Sequence, residues 1–138
     1  MSLNQELIRG RCREIMESLE RLDRIAKEPK DTFVHNQDLQ DIACYRLLVA
    51  IESALSLCYH IAAKQLQKVP EEYAECFAIL ADAGIIPAAL STELQKMARF
   101  RNLLVHMYWK IDYHAVYDIL QDNLDDLSSF SSIIAGLL

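Results

Sequence analysis

The segment from Arg101 to Tyr108 contains three side chains that can do chemistry, in the order Arg-x4-His-x-Tyr. A guanidinium, an imidazole and a phenol all donate hydrogen bonds, and an imidazole also exchanges protons near neutral pH. We therefore take this segment, with His106 inside it, as the candidate functional centre.

Arg101 stands at a position where the spacing predicts a core side chain. The apolar stripe of its helix runs through Leu90, Leu94, Met97, Arg101, Leu104 and Tyr108. A charge buried there without a partner would be strongly unfavourable. Arg101 is therefore expected to face a cleft, to pair with an acid or to lie at a subunit interface. The alternative is an arginine at the end of the bundle whose head group reaches water.

His106 does not share a face with Arg101 on a straight helix. Five residues at about 100° each separate the two side chains by about 140°. His106 lies over Asn102 instead, whereas Tyr108 lies on the Arg101 face. Arg101 and His106 can meet at one site only if the Arg101 side chain bends around the helix, if the helix frays near His106, or if a second subunit completes the pocket. The alternative for a lone helical histidine is a structural hydrogen-bond donor.

A row of polar side chains follows the predicted second helix. Arg46, Ser53 and His60 recur at every seventh residue, and Ser56 lies near them. This face either lines the same cleft as Arg101 or makes ordinary polar contacts between helices. For His60 alone, the second interpretation is favoured.

The elements that position these residues are helices. The sequence predicts helices from about Asn4 to Lys27, from a cap at Asn36 or Asp38 to about Gln67, from Pro70 to a left-handed cap at Gly84, from Pro87 to about Tyr108, and from a cap at Asp112 through Tyr113 to about Ala135. No segment alternates with the period of a strand. We expect an all-α, up-and-down bundle of four long helices and one short helix, with residues 1–138 as a single domain.

Composition limits the classes of function. The net charge of −6 argues against a broad basic footprint for nucleic acid, so any RNA contact must be local. The four cysteines lack metal or redox spacing, and we expect reduced thiols and a cytoplasmic location. The apolar run from Ile42 to Ala63 contains charged residues and predicts a buried helix, not a membrane span. No metal-binding or phosphate-loop motif is present, and we expect neither metal nor cofactor.

The residues around the motif resemble a known family. Residues 97–108, Met-Ala-Arg-Phe-Arg-Asn-Leu-Leu-Val-His-Met-Tyr, are similar to the signature of HepT-like proteins of the HEPN superfamily. These are toxins paired with minimal nucleotidyltransferase (MNT) antitoxins. Similar blocks are Ala50–Ile61, Pro70–Phe77 with Leu80, Gly84–Pro87 and Ile111–Leu120. One departure is Ser56, where many relatives carry an acid about four residues before the histidine; the change implies reduced activity or a different partner.

The resemblance implies a toxin-antitoxin ribonuclease. Two copies would form a homodimer whose motifs face one cleft and cut RNA without a metal ion. Arg101 would stabilise charge on the phosphate, and His106 would act as general acid or base. The supporting residues would be Asn102, Arg46, Ser53, Ser56 and His60. The MNT antitoxin would nucleotidylate Tyr108 and block the site.

Two other functions are compatible with the same sequence. The alternative to a nuclease is a non-catalytic HEPN module that binds a nucleotide or docks a nucleotidyltransferase. A purely structural bundle is the third, and the position of Arg101 argues against it.

Overall fold

The computed structural model describes residues 2–138, and in this range the chain forms seven α-helices and one 3₁₀ turn. The helices are α1 (Gln5–Ala26), α2 (Lys30–Val34), α3 (Gln37–Leu66), α4 (Tyr73–Asp82), α5 (Ala88–His106), α6 (Tyr113–Asp122) and α7 (Leu124–Ala135), with the 3₁₀ turn at Tyr108–Lys110 between α5 and α6. The predicted all-α helical bundle is confirmed.

Helix α3 is the central element of the bundle. It has 30 residues, which at 1.5 Å per residue gives a length of roughly 45 Å. It packs mainly against α1 and also contacts α4, α5 and α7. Its fully buried side chains include Leu47, Ile51, Leu57 and Ile61. Helices α4 and α5 contact each other as well as α3. Residues from these three helices therefore meet in one region of the bundle.

Side-chain caps fix the start of three helices. Asn4 accepts a hydrogen bond from the Leu7 amide at 3.0 Å, and Asn36 accepts one from the Leu39 amide at 3.1 Å. Asp112 caps α6 in the same way through the His114 amide, at 2.9 Å. These bonds satisfy amides that have no partner within the helix. Of the two residues expected to cap α3, Asn36 is therefore the one that does so.

Helix α3 is long and apolar enough, by composition alone, to cross a membrane. Its most apolar 18-residue window has a mean hydropathy of 1.5, and half of that window is buried inside the bundle. A helix with this composition that packs on α1, α4 and α5 has the features of a core helix.

The helix that carries the motif ends earlier than predicted. We expected it to continue to about Tyr108, but α5 ends at His106 and Tyr108 begins the 3₁₀ turn. Every residue from Val105 to Lys110 is exposed. Since most helix stability in proteins comes from packing, a segment without packing partners does not sustain the helix. The predicted seam therefore stops short of Tyr108.

Three other features of the helices also differ from the prediction. The short helix begins at Tyr73 rather than Pro70, and the unpredicted α2 occupies the first long connection. The predicted last helix divides at Asn123, whose side chain donates a hydrogen bond to Asp126 at 2.9 Å. Asparagine side chains compete with the helical backbone for hydrogen bonds, and the acids that follow favour a new helix start.

Candidate functional site

The Arg101 side chain is held among three residues from three helices. Its Nε donates a hydrogen bond to a carboxylate oxygen of Glu52 on α3. One terminal nitrogen donates to the Asn102 side-chain oxygen at 3.1 Å, and the guanidinium carbon lies 4.7 Å from the centre of the Tyr73 ring. Only 13% of the Arg101 side chain is exposed. Of the environments predicted for this arginine, pairing with an acid is the one the structure shows.

The partners of Arg101 are fixed by the packing of α3 and α4. Glu52 is the only acid in the apolar stretch 42–63 of α3, and 46% of its side chain is exposed. Tyr73 is the first residue of α4, and its ring packs edge-to-face on Tyr59 of α3 with centres 6.0 Å apart. The guanidinium therefore has a carboxylate for its charge and an aromatic ring for its flat face.

His106 and Tyr108 lie beyond this cluster, at the exposed end of α5. His106 is the last residue of the helix, and no hydrogen bond or ion pair involves its ring within residues 2–138. Tyr108 is 67% exposed and packs edge-to-face on Trp109, with ring centres 5.4 Å apart. The expectation that Tyr108 shares a helix face with Arg101 is wrong, because Tyr108 is no longer in the helix.

The polar row on α3 contacts α1 and not Arg101. Ser53 donates to Glu14 at 2.8 Å, Ser56 accepts from the Arg11 Nε at 3.1 Å, and His60 accepts from the Asn4 amide at 2.9 Å. These are the polar contacts between helices that the sequence left as one of two interpretations. Arg46 instead lies over its neighbouring ring, with its guanidinium carbon 5.3 Å from the centre of Tyr45.

Two members of this polar row lie close to the acid that pairs with Arg101. Ser53 and Ser56 line a surface hollow of about 410 Å³ together with Glu52, the partner of Arg101.

At the end of the row, burial lowers the pKa of His60, and the nearby Lys64 lowers it further. A neutral ring has an unprotonated nitrogen to accept the Asn4 amide, so the low pKa and the hydrogen bond agree.

A second hollow, of about 480 Å³, lies beside Tyr73 and Asn102. We call it the Tyr59 hollow, and its polar and aromatic lining comes from Tyr59, Glu71, Glu72, Tyr73, Arg99 and Asn102. Asn102 and Tyr73 also contact Arg101. Through these two residues the Tyr59 hollow borders the site of the motif arginine.

Sequence reasoning missed Glu52 and Tyr73 as members of the site. The lone acid in the apolar stretch of α3 is a signal that could have identified Glu52, because a charge there needs a partner. Tyr73 gives no comparable signal, since an aromatic residue at the start of a helix is an ordinary core candidate. Which helices pack side by side is not contained in the spacing along either helix.

The fold and the motif together place the protein among HEPN-type helical proteins. The family model for HepT-like ribonucleases matches residues 15–134, and the chain belongs to this family. The resemblance predicted from the motif is thereby confirmed.

Individual relatives agree with this assignment. The chain is 29% identical over 102 residues to the mRNA nuclease HepT of Shewanella oneidensis, covering 74% of this chain and 77% of the relative. It is also similar to the structure of the tri-AMPylated HEPN toxin of Shewanella oneidensis in complex with its MNT antitoxin, with 25% identity, a TM-score of 0.86 and coverage of 94% of this chain and 97% of that one. A toxin-antitoxin crystal structure with AMP-PNP gives 25% identity, a TM-score of 0.84 and coverage of 93% and 97%.

Proposed function

We propose that this protein is a metal-independent endoribonuclease toxin in which Arg101 and His106 act on one phosphate of RNA. The observation that carries this proposal is the fixed guanidinium of Arg101. Glu52 and Asn102 hold two of its nitrogens, and the remaining terminal nitrogen has no hydrogen bond within residues 2–138. A pre-positioned donor stabilises charge that develops in a transition state without reorganising first.

The chemistry assigns one role to each side chain. In RNA, the 2′-hydroxyl attacks the adjacent phosphorus, the bond from phosphorus to the 5′-oxygen breaks, and one proton moves from the nucleophile to the leaving oxygen. Arg101 stabilises the extra negative charge on the phosphate oxygens, using its free guanidinium nitrogen. His106 is the group that exchanges the proton, since an imidazole serves as acid or base at neutral pH.

A second copy of the chain completes the site in this proposal. No hydrogen bond joins His106 to Arg101 within the described chain, and His106 is exposed at the end of α5. Two copies that place these ends together give each Arg101 access to a histidine of its partner. The ribonuclease activity therefore depends on the homodimer. We place this activity in the cytoplasm.

The partner that controls the toxin is an MNT nucleotidyltransferase acting on Tyr108. The Tyr108 side chain is 67% exposed, and its hydroxyl makes no hydrogen bond within residues 2–138. A nucleotidyl group there adds negative charge and bulk two residues from His106, which repels and blocks an RNA phosphate. The MNT complex of the Shewanella oneidensis toxin supports this choice of partner.

Cleavage by the purified protein tests the proposal. The purified homodimer, separated from any nucleotidyltransferase, should cut RNA in a buffer containing EDTA. The His106→Ala variant should cut RNA at least about a hundredfold more slowly, because general acid-base catalysis contributes a factor of about this size. His114→Ala is the matched control, because His114 is also exposed but lies at the start of α6, and it should keep the wild-type rate.

The opposite result has a defined meaning. If the wild-type protein cuts no RNA and its expression leaves growth as unaffected as that of His106→Ala, the nuclease proposal is wrong. Retained binding of a nucleotidyltransferase would then support the non-catalytic module.

A further inference from the structure

The Tyr59 hollow has the size and lining of a small-molecule subsite. Its volume of about 480 Å³ falls in the range of about 300–1,000 Å³ that is usual for ligand pockets. One wall is aromatic, because Tyr59 and Tyr73 pack edge-to-face there. The other walls are polar and come from α5 and from the residues just before α4.

The polar groups of the Tyr59 hollow have unused hydrogen-bonding capacity. Asn102 uses its side-chain oxygen to accept from Arg101, while its amide nitrogen makes no bond within residues 2–138. The carboxylates of Glu71 and Glu72 are in no hydrogen bond or ion pair of the described chain, and both residues are exposed. Free donors and acceptors beside aromatic rings are the features that recognise a nucleobase.

We propose that the Tyr59 hollow binds the base next to the phosphate that Arg101 contacts, and that Glu71 and Glu72 make it prefer guanine. Guanine carries two neighbouring N–H donors on its pairing edge, which match the two oxygens of one carboxylate. The inference rests on the proposed function, since it assumes that single-stranded RNA is the ligand.

The arrangement favours a base over a phosphate in the Tyr59 hollow. Two free carboxylates at the rim repel a phosphate, whereas a base edge with N–H donors is attracted to them. Tyr73 contacts the Arg101 guanidinium and also lines the hollow, so a phosphate at Arg101 and a base in the hollow are neighbours along one strand. Arg99, exposed on the same wall, remains available for the next phosphate.

Binding of labelled RNA octamers to the full-length His106→Ala protein tests the inference without cleavage. The three octamers are all uridine, uridine with one central guanosine, and uridine with one central inosine, which lacks the 2-amino group. Fluorescence anisotropy should show the guanosine octamer binding roughly tenfold more tightly than the inosine octamer. The Glu71→Gln/Glu72→Gln variant should bring this ratio close to one.

A control variant separates recognition from a general change of charge. Glu17→Gln/Glu28→Gln also removes two negative charges from exposed positions, and both of these glutamates lie on or just after α1. This variant should bind all octamers somewhat more tightly and keep the preference for guanosine. The inference is overturned if both double variants keep the same preference for guanosine over inosine. It is also overturned if the His106→Ala protein without these changes binds the two octamers about equally.

Mapping the cleavage sites of the wild-type protein distinguishes the two proposals. Cutting beside guanosine supports both. Cutting without any base preference leaves the nuclease standing and overturns the subsite. Guanosine-dependent binding without any cutting supports the subsite as a base-binding site and overturns the nuclease.

Discussion

Arg101 lies at a seam position of α5 because its charge and its flat surface both have partners. The carboxylate of Glu52 takes up the charge, and the Tyr73 ring covers one face of the guanidinium. A charge-assisted bond in a partly buried place is stronger than the same bond on the surface. Arg101 therefore forms part of the site with a head group that is held in place, and little of its side chain is exposed.

Replacing Glu52 tests how much this pair contributes to stability. Glu52→Gln keeps the shape and an oxygen that accepts from Arg101, but it removes the opposing charge. We expect a loss of about 1 kcal/mol in the free energy of unfolding, because Glu52 is half exposed and the surrounding water weakens the pair. Urea denaturation measures the loss.

The exposed ion pair of Glu20 with Arg24 on α1 provides the control for the Glu52 experiment. Its atoms lie 2.8 Å apart, but both side chains are mostly in water. Glu20→Gln should therefore change the free energy of unfolding by less than about 0.5 kcal/mol. Equal effects of the two substitutions would show that burial of Arg101 adds nothing to its pair.

At the scale of residues, the sequence predicts the need for a partner but not the partner itself. An arginine in an apolar seam must be neutralised, and this holds for Arg101. The same argument fails for Tyr108, because a seam position has meaning only while the chain is helical. Ser53 and Ser56 are correctly seen as one polar face, yet their partners on α1 follow from helix packing.

At the scale of elements, side-chain caps and the glycine stop are well predicted, whereas the start expected at Pro70 and the helix ends that depend on packing are not. Asn36 and Asp112 act on amides within a few residues, and Gly84 has the left-handed φ of 76° expected of a helix cap. The end of α5 and the break at Asn123 depend on which surfaces other helices cover. That information is distributed over the whole chain.

The contact between the start of α1 and α3 should depend on pH through His60. The pKa of His60 is below its ordinary value of 6.5 in the folded protein, so the unfolded chain binds the proton more readily. The stability that this group contributes is complete above pH 6.5 and decreases as the pH falls below that value. Protonation also removes the acceptor for the Asn4 amide.

Comparing the wild-type protein with His60→Gln isolates this effect, because the other titrating groups are common to both. The glutamine oxygen can accept from the Asn4 amide and does not titrate in this range. Urea unfolding at pH 7.5 and 5.5 should show that wild type loses more stability than the variant. The same loss in both proteins would mean that His60 keeps its proton affinity on folding.

At the scale of the whole molecule, exposed apolar side chains gather at the end of the motif segment. Val105, Met107, Tyr108 and Trp109 fall within five residues, all among the exposed large hydrophobic residues of the described chain. Exposed apolar side chains that gather in this way are typical of an interaction surface. Since the proposed site needs a second copy to bring His106 to Arg101, we expect Val105, Met107 and Trp109 to lie in the homodimer interface and Tyr108 to stay accessible at its edge, where the nucleotidyltransferase acts.

Trp109 reports directly on this interface, because it is the only tryptophan of the chain and is 66% exposed. Dilution should shift its emission to longer wavelength in step with the change from dimer to monomer seen by sedimentation velocity. Met107→Glu should weaken the dimer by at least about 30-fold, as expected for about 2 kcal/mol at an interface hot spot. Val69→Glu, at a position that is 86% exposed in the connection before α4, should leave it unchanged. A dimer that forms without any change in Trp109 emission would place the interface elsewhere and leave His106 without the partner arginine that the mechanism requires.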